Sequence, residues 1–187
     1  MIRNGVDAPQ PTPQPRAGLR VLSLARLAPE KNIDQLMQAF AHVAREHPEA
    51  RLTIAGRGLE EGALRTLAYS LHLEDRIDFP GHVDAGEALR AHDVVVQLSA
   101  WENLSYTLLD AVAHGLGVAA TDVGGNGEIV PERCLVTAEE ARSPEVVAAR
   151  IIEQGSDLAA RPEGAEHGLT VAEMAAAIAG VYREVAA

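Results

Sequence analysis

Charged residues sit where short apolar runs give way to helical periodicity, and their types set out the chemistry open to the chain. Arg26 and Lys31 lie in ARLAPEKN, just ahead of one such helical stretch. A helix N-terminus already carries partial positive charge, so cations there oppose the macrodipole unless an anion such as phosphate joins them. The competing reading leaves both in solvent, paired with Glu30. Glu102 and Asp110 are separated by seven residues in SAWENLSYTLLD. Glu102 falls in a loop, the next helix starts near Ser105, and Asp110 lies on its second turn. Two carboxylates so placed can converge on a ligand rich in hydroxyls, as an acidic residue does with a ribose. Otherwise Glu102 caps the helix and Asp110 is a solvated face residue. Gly56–Arg57–Gly58 and Gly124–Gly125–Asn126–Gly127 are either tight turns or backbone approaches to a ligand. The first is half of a G-x-G-x-x-G pattern, with Glu61 at the third glycine position.

Several chemistries are excluded. The chain has no G-x-x-x-x-G-K-[ST] phosphate loop, no H-E-x-x-H, no Cys/His ligand spacing, no G-x-S-x-G elbow and no Asp-x-Asp. A single cysteine, Cys134, removes a disulfide framework and a Cys-based zinc site and fits a reducing cytoplasm. The 187 residues carry a net charge of −11, with 47% hydrophobic and 23% charged residues. That composition fits a soluble globular domain and opposes nucleic-acid wrapping or an anionic membrane surface. It leaves room for one small basic pocket. MIRNGVDAPQPTPQP lacks the apolar core of a signal peptide. No apolar run is long enough to insert in a membrane.

These residues need elements to position them. Apolar runs at 20–25, 51–55, 76–79, 93–98, 117–121 and, more weakly, 133–136 read as strands. Between them, Ile33, Leu36, Met37, Phe40 and Val43 recur at helical spacing, as do Leu64, Leu67 and Leu71, then Leu108 and Val112, then Val146, Ile151 and Ile152. An amphipathic segment over 169–185 closes the chain. Alternation of strand and helix predicts a single α/β Rossmann-like domain: a parallel sheet of about six strands with helices on both faces. Residues 1–18, proline-rich over 8–16, read as a linker, and 19–187 as the domain. In such sheets ligands bind beyond the carboxyl ends of the strands, where the candidate residues lie.

In order and spacing these pieces resemble the C-terminal, donor-binding domain of GT-B glycosyltransferases of family 4, the glycosyltransferase group 1 family. Asn4–Asp7 matches the end of the family's interdomain linker, LSLARLAPEK its first strand and loop, Ile54–Gly58 its I-A-G-x-G, and Phe79–Val83 its F-x-G-x-V turn. Ser99–Val130 matches the E-x7-E region and the Gly-Gly-x-x-Glu segment after it. The resemblance implies a retaining, metal-independent transferase that moves a hexose-type sugar from a UDP-, GDP- or ADP-sugar, with no other cofactor. Arg26 and Lys31 would hold the diphosphate, and Glu102 would orient the sugar with the backbone of Asn103, Leu104, Ser105 and Tyr106. Asp110 would take the ribose. Gly56, Gly58, His82 and Val83 would border the base, and Gly124 and Gly125 complete the donor site.

The chain departs from the family pattern at Asp110, where the family has Glu, and at Ser105 and Ala25, where Gly is common. It departs again at Gly117 and Gly127, where Pro is. The family's N-terminal acceptor-binding domain, with its catalytic histidine, has no counterpart here, so the expected partner is such a domain or subunit. The implied location is cytoplasmic, with the whole enzyme peripheral at the inner membrane face. Two rival readings remain. A dinucleotide-dependent oxidoreductase needs a glycine fingerprint after the first strand, which LARLAPEK does not supply. A non-catalytic module would dock through the final helix, with Val171, Met174, Ile178, Val181 and Val185, on a partner supplying the acceptor domain.

Overall fold

The computed structural model describes residues 18–162 and 171–185. The proposed linker, apart from Gly18, therefore lies outside the described residues, as do residues 169 and 170 of the expected closing helix. In chain order the elements are β1 (Arg20–Leu24), a 3-10 turn (Pro29–Lys31), α1 (Ile33–Glu46), β2 (Arg51–Ala55), α2 (Glu61–Ser70), β3 (Ile77–Gly81) and α3 (Ala85–Ala91). Then come β4 (Val94–Gln97), α4 (Tyr106–Ala113), β5 (Gly117–Thr121), β6 (Leu135–Val136), α5 (Pro144–Ser156) and α6 (Val171–Val185). The six strands form one sheet in the order β3-β2-β1-β4-β5-β6, and every pairing is parallel. Strand order reverses between β1 and β4, which is the switch point of the doubly wound fold.

The two-residue period of the strands sorts their side chains into two cores. Val21, Leu52, Ile54, Val94 and Val96 pack with Leu36, Met37, Phe40 and Val43 of α1 and with Val147 and Ile151 of α5. Leu22, Val95, Val118 and Ala120 face the other way, onto Leu89 of α3 and Leu108, Ala111 and Val112 of α4. Burial on both faces explains the unbroken Val94–Val96 run.

Expectation and structure differ in a few places. The third strand runs on to Gly81 through Pro80, which is tolerated because β3 is an edge strand. Helix α3 was not expected: it has seven residues and buries only Leu89, too little to show a period. Asp84 caps it, accepting from the Glu87 N–H at 2.8 Å. On α5 the core-facing residue is Val147, and Val146 points outward. Gly117 stands where the resemblance expects Pro because the backbone of α5 lies against it. A Cβ there would come within 2.3 Å of the Gln154 carbonyl oxygen. On α6, Val171, Ile178, Val181 and Tyr182 are exposed; the side chain of Val185 lies outside the described residues. No described helix is long and apolar enough to cross a membrane.

The amino-terminal end of the central strand pair is locked by one ion pair. Asp93, buried just ahead of β4, accepts from Arg20 Nη2 at 2.7 Å, Nε at 2.9 Å and the Arg20 backbone N–H at 3.0 Å. The bond to Asp93 pushes the guanidinium pKa up. Asp93→Ala leaves the part-buried Arg20 guanidinium and the Arg20 backbone N–H without their partner, so it should destabilise the fold by about 2 kcal/mol in urea unfolding. Next to it, burial pushes the His92 imidazole down, although its ring also bonds the Ala88 carbonyl at 2.6 Å and Thr53 Oγ1 at 2.8 Å. The unfolded chain thus takes up this proton more readily than the folded one. The stability this group contributes is complete above about pH 6.5 and declines as pH falls below that value. Urea midpoints measured across this range should show the slope, and His92→Gln should flatten it.

Candidate functional site

The loops at the opposite, carboxyl end of the sheet are tied together at the switch point. After β1 the chain makes the 3-10 turn and then passes through Asn32, whose φ of 47° and ψ of 41° lie in the left-handed region. Asparagine tolerates that conformation better than most residues, and here its side chain is also used. Asn32 Nδ2 donates to the Leu98 carbonyl at 2.7 Å, and the Ala100 N–H donates to the Glu30 carbonyl at 2.8 Å. These bonds fix the β1 loop against the end of β4. Lys31 thereby reaches across the switch point. Its Nζ donates to Glu102 Oε1 in a half-buried ion pair, and lies 3.4 Å from Ser99 Oγ. No side chain caps the N-terminus of α1 beside it. An uncapped helix start with a lysine at its mouth suits an anion.

Arg26 is placed differently. It is 72% exposed and bonds Glu30 at 2.7 Å, the solvated pairing that competed with an anion role. Solvent screens such a pair strongly, so little holds the guanidinium away from a ligand. Lys31 is therefore the cation the fold itself brings to Glu102.

The loop bearing Glu102 is shaped by its neighbours. Ser105 caps α4: its Oγ accepts from the Leu108 N–H at 3.2 Å and donates to Gln97 Oε1 at 2.7 Å. Glu102 is thus free of the capping role. Gly124, with φ +55°, lies under this loop, where a Cβ would come within 1.7 Å of the Glu102 carbonyl oxygen. The Gly125 N–H donates to the Asn103 carbonyl at 2.6 Å. That amide already has a partner inside the chain, so Gly124 and Gly125 position the Glu102 loop. Leu104 packs beside Gly125, while Asn103 and Tyr106 are exposed. Asp110 lies on the second turn of α4, where burial pushes its carboxyl pKa up against the opposing pull of His114. Its carboxylate has no hydrogen bond or ion pair among the described residues, which leaves it to accept from a hydroxyl.

The β2 loop is pinned in a similar way. At Gly56, φ +144°, a Cβ would meet the Ala25 carbonyl oxygen at 1.8 Å, and at Gly58 the Leu27 carbonyl oxygen at 2.0 Å. The Gly56 N–H donates to the Gly81 carbonyl at 2.8 Å, bringing the loop with His82 and Val83 alongside. Both glycines thus serve close loop packing.

Sequence reasoning missed Asn32, Ser99, Gln97 and Thr121. Thr121 Oγ1 donates to the Ser99 carbonyl at 2.6 Å, and Asn126 Nδ2 to the Thr121 carbonyl at 3.0 Å, extending the network to β5. A signal was present for two of them: Gln97 interrupts an apolar strand, and Asn32 directly precedes a helical run. Among the described residues, no three His, Cys, Asp or Glu side chains come together in a group that could hold a metal ion.

A parallel sheet in the order 3-2-1-4-5-6, with the Lys31–Glu102 ion pair across its switch point beside an uncapped helix start, defines a Rossmann-like domain. Residues 8–158 match the glycosyl transferases group 1 family, and the chain belongs to that family. It is 34% identical over 137 residues to the glycogen synthase of Mycobacterium tuberculosis, a match covering 70% of this chain and 33% of that enzyme. It is 29% identical over 136 residues to the UDP-N-acetylglucosamine–peptide N-acetylglucosaminyltransferase GtfA subunit of Streptococcus pneumoniae, covering 67% of this chain and 27% of the relative. The crystal structure of a GtfA/B complex matches with a TM-score of 0.80 and 26% identity, over 97% of this chain and 39% of that one. The chain thus spans a third or less of the length of these two curated relatives. Its fold is the Rossmann-like fold of GT-B glycosyltransferases.

Gly124→Ala tests the packing under Glu102. A side chain at φ +55° against a carbonyl should lower the urea midpoint by an amount equivalent to about 2 kcal/mol. Gly62→Ala, where a Cβ meets nothing within 4 Å, should not lower it.

Proposed function

We propose that the chain is the donor-binding part of a retaining, metal-independent glycosyltransferase that moves a hexose-type sugar from a nucleoside-diphosphate donor to an acceptor. The observation that carries this reading is the Lys31–Glu102 ion pair at the β1–β4 switch point, beside the uncapped start of α1. The pair opens onto a ligand carrying both signs of need, with phosphate oxygens to accept from Lys31 and sugar hydroxyls to donate to Glu102. As the bond from the sugar to the diphosphate breaks, its electron pair leaves on phosphate. Lys31, Arg26 and the α1 N-terminus stabilise that charge without a metal. Asp110 accepts from the ribose hydroxyls, one methylene shorter than the family's Glu. The family assignment and the UDP-sugar named for the GtfA subunit support a nucleotide-sugar donor. The acceptor belongs to a further domain or subunit.

Exposed Val171, Ile178, Val181 and Tyr182 on α6 favour a second, compatible reading, in which this helix docks on the part that carries the acceptor. Loss of co-elution with that part on size-exclusion chromatography when Val181 and Tyr182 are replaced by Ser would support it, and unchanged co-elution would count against it.

Calorimetric titration with UDP-, GDP- and ADP-sugars tests the main reading. At least one should bind, and Lys31→Ala should weaken it by about tenfold or more. Asp110→Glu should bind at least as well as the native chain, whereas Asp110→Ala should bind less tightly. Silence from every nucleotide sugar at millimolar concentration overturns the proposal. The only tryptophan, Trp101, is exposed next to Glu102, so its emission offers an independent readout of binding.

A further inference from the structure

Arg26, Lys31, Arg57 and Arg133 are the Lys and Arg residues of the segments that follow β1 to β5. Arg26 pairs with Glu30, Lys31 with Glu102, and Arg133 donates to the Ala160 and Arg161 carbonyls. Arg57 has no carboxylate partner among the described residues, in a chain whose net charge is −11. Its backbone is nonetheless tightly held. The Arg57 carbonyl accepts from the Leu27 N–H at 3.0 Å, and the flanking glycines seat the loop against the β1 loop on one side and Gly81 on the other. The side chain runs past Gly81, where a Cβ would lie 3.6 Å from Arg57 Nε and 3.9 Å from Nη2. With no side chain at Gly81, the guanidinium extends over the exit of β3 and stays exposed.

We infer that Arg57 is a specificity-determining residue that selects donors whose base bears exocyclic carbonyl oxygens, uracil or guanine, over adenine. The inference rests on the donor-binding reading above and refines it. Lys31 and Glu102 bridge β1 and β4, whereas Arg57 leaves β2, on the far side of β1. Adjacent strands are about 4.8 Å apart, so Arg57 stands roughly two strand spacings, on the order of 10 Å, from the β4 loop. A ligand with its diphosphate at Lys31 and its sugar at Glu102 has one end left to extend in that direction, the base. A guanidinium only donates hydrogen bonds. Guanine offers it an adjacent pair of acceptors, O6 and N7, and uracil offers two carbonyl oxygens. Adenine presents a single acceptor, N7, beside an exocyclic amine, a donor. A site that supplies a pair of donors disfavours the base that meets one of them with a donor of its own.

Calorimetry with UDP, GDP and ADP on the native chain, Arg57→Ala and Arg57→Gln tests this. The native chain should bind UDP or GDP about tenfold more tightly than ADP. Arg57→Ala should erase that preference by weakening the favoured nucleotide while leaving ADP unchanged. Arg57→Gln, which keeps an amide donor but loses the planar fork, should fall between. Because the side chain is exposed, the thermal midpoints of all three proteins should agree. Native binding without base preference, unchanged affinities in Arg57→Ala, or an equal loss for all three nucleotides, which marks a phosphate contact, overturns the inference. If the native chain binds none of them, the donor-binding reading itself falls, and this one with it.

Discussion

The contact on which the carboxyl end of the sheet depends is the one between Lys31 and Glu102. It joins the loop of β1 to the loop of β4 across the point where strand order reverses, and it does so only because both loops are held from behind. Asn32 holds Lys31, through its left-handed backbone and its bond to Leu98. Gly124 and Gly125 hold Glu102, by letting the β5 loop lie flat beneath it. An ion pair between long, free side chains is worth little in water, because two flexible chains must be ordered to form it. Here the backbone bears most of that ordering, so lysine and carboxylate face each other before any ligand arrives.

The two ends of the sheet divide the work. At the amino-terminal end, Arg20 and Asp93 exchange several hydrogen bonds, so that the buried carboxylate is paired on both oxygens. At the carboxyl end polar groups remain uncommitted: among the described residues the Asp110 carboxylate has no hydrogen-bond partner, Arg57 has no counter-charge, and no side chain caps the start of α1. The rigid end makes the open end possible, because β1 and β4 are fixed relative to one another before their loops diverge. The cations of this end are Lys31, paired with Glu102, Arg26, exposed beside it and paired with Glu30, and Arg57 farther along the edge.

Much of this was legible in the residues, for reasons that particular positions make clear. The alternation of Val94, Val95 and Val96 between two cores follows from the geometry of a strand, and a run apolar at every position announces a strand covered on both sides. The start of α4 near Ser105 was readable from the helical run, whereas the cap was not: Ser105 supplies it, not Glu102. Helix α3, by contrast, buries a single leucine and left no period to read. The partner of Arg26 was open between an anion and Glu30, since either satisfies a cation at a loop. The roles of Gly124 and Gly125 were open as well, since glycine is needed equally for a turn, for an amide aimed at a ligand, and for close backbone packing.

Hydrophobic period, turn residues and motif spacing, all local properties, thus determined the layered α/β fold, the family and the loops in which the chemistry lies. Only the tertiary structure decided which side chains meet. Lys31 and Glu102 are 71 positions apart, and their contact depends on strand order and on backbone clearances at Gly56, Gly58 and Gly124. A linear pattern carries no measure of such distances. The same holds for Arg57, which in the sequence is the residue between two glycines and in the fold is an exposed cation at the strand exits with no carboxylate partner among the described residues.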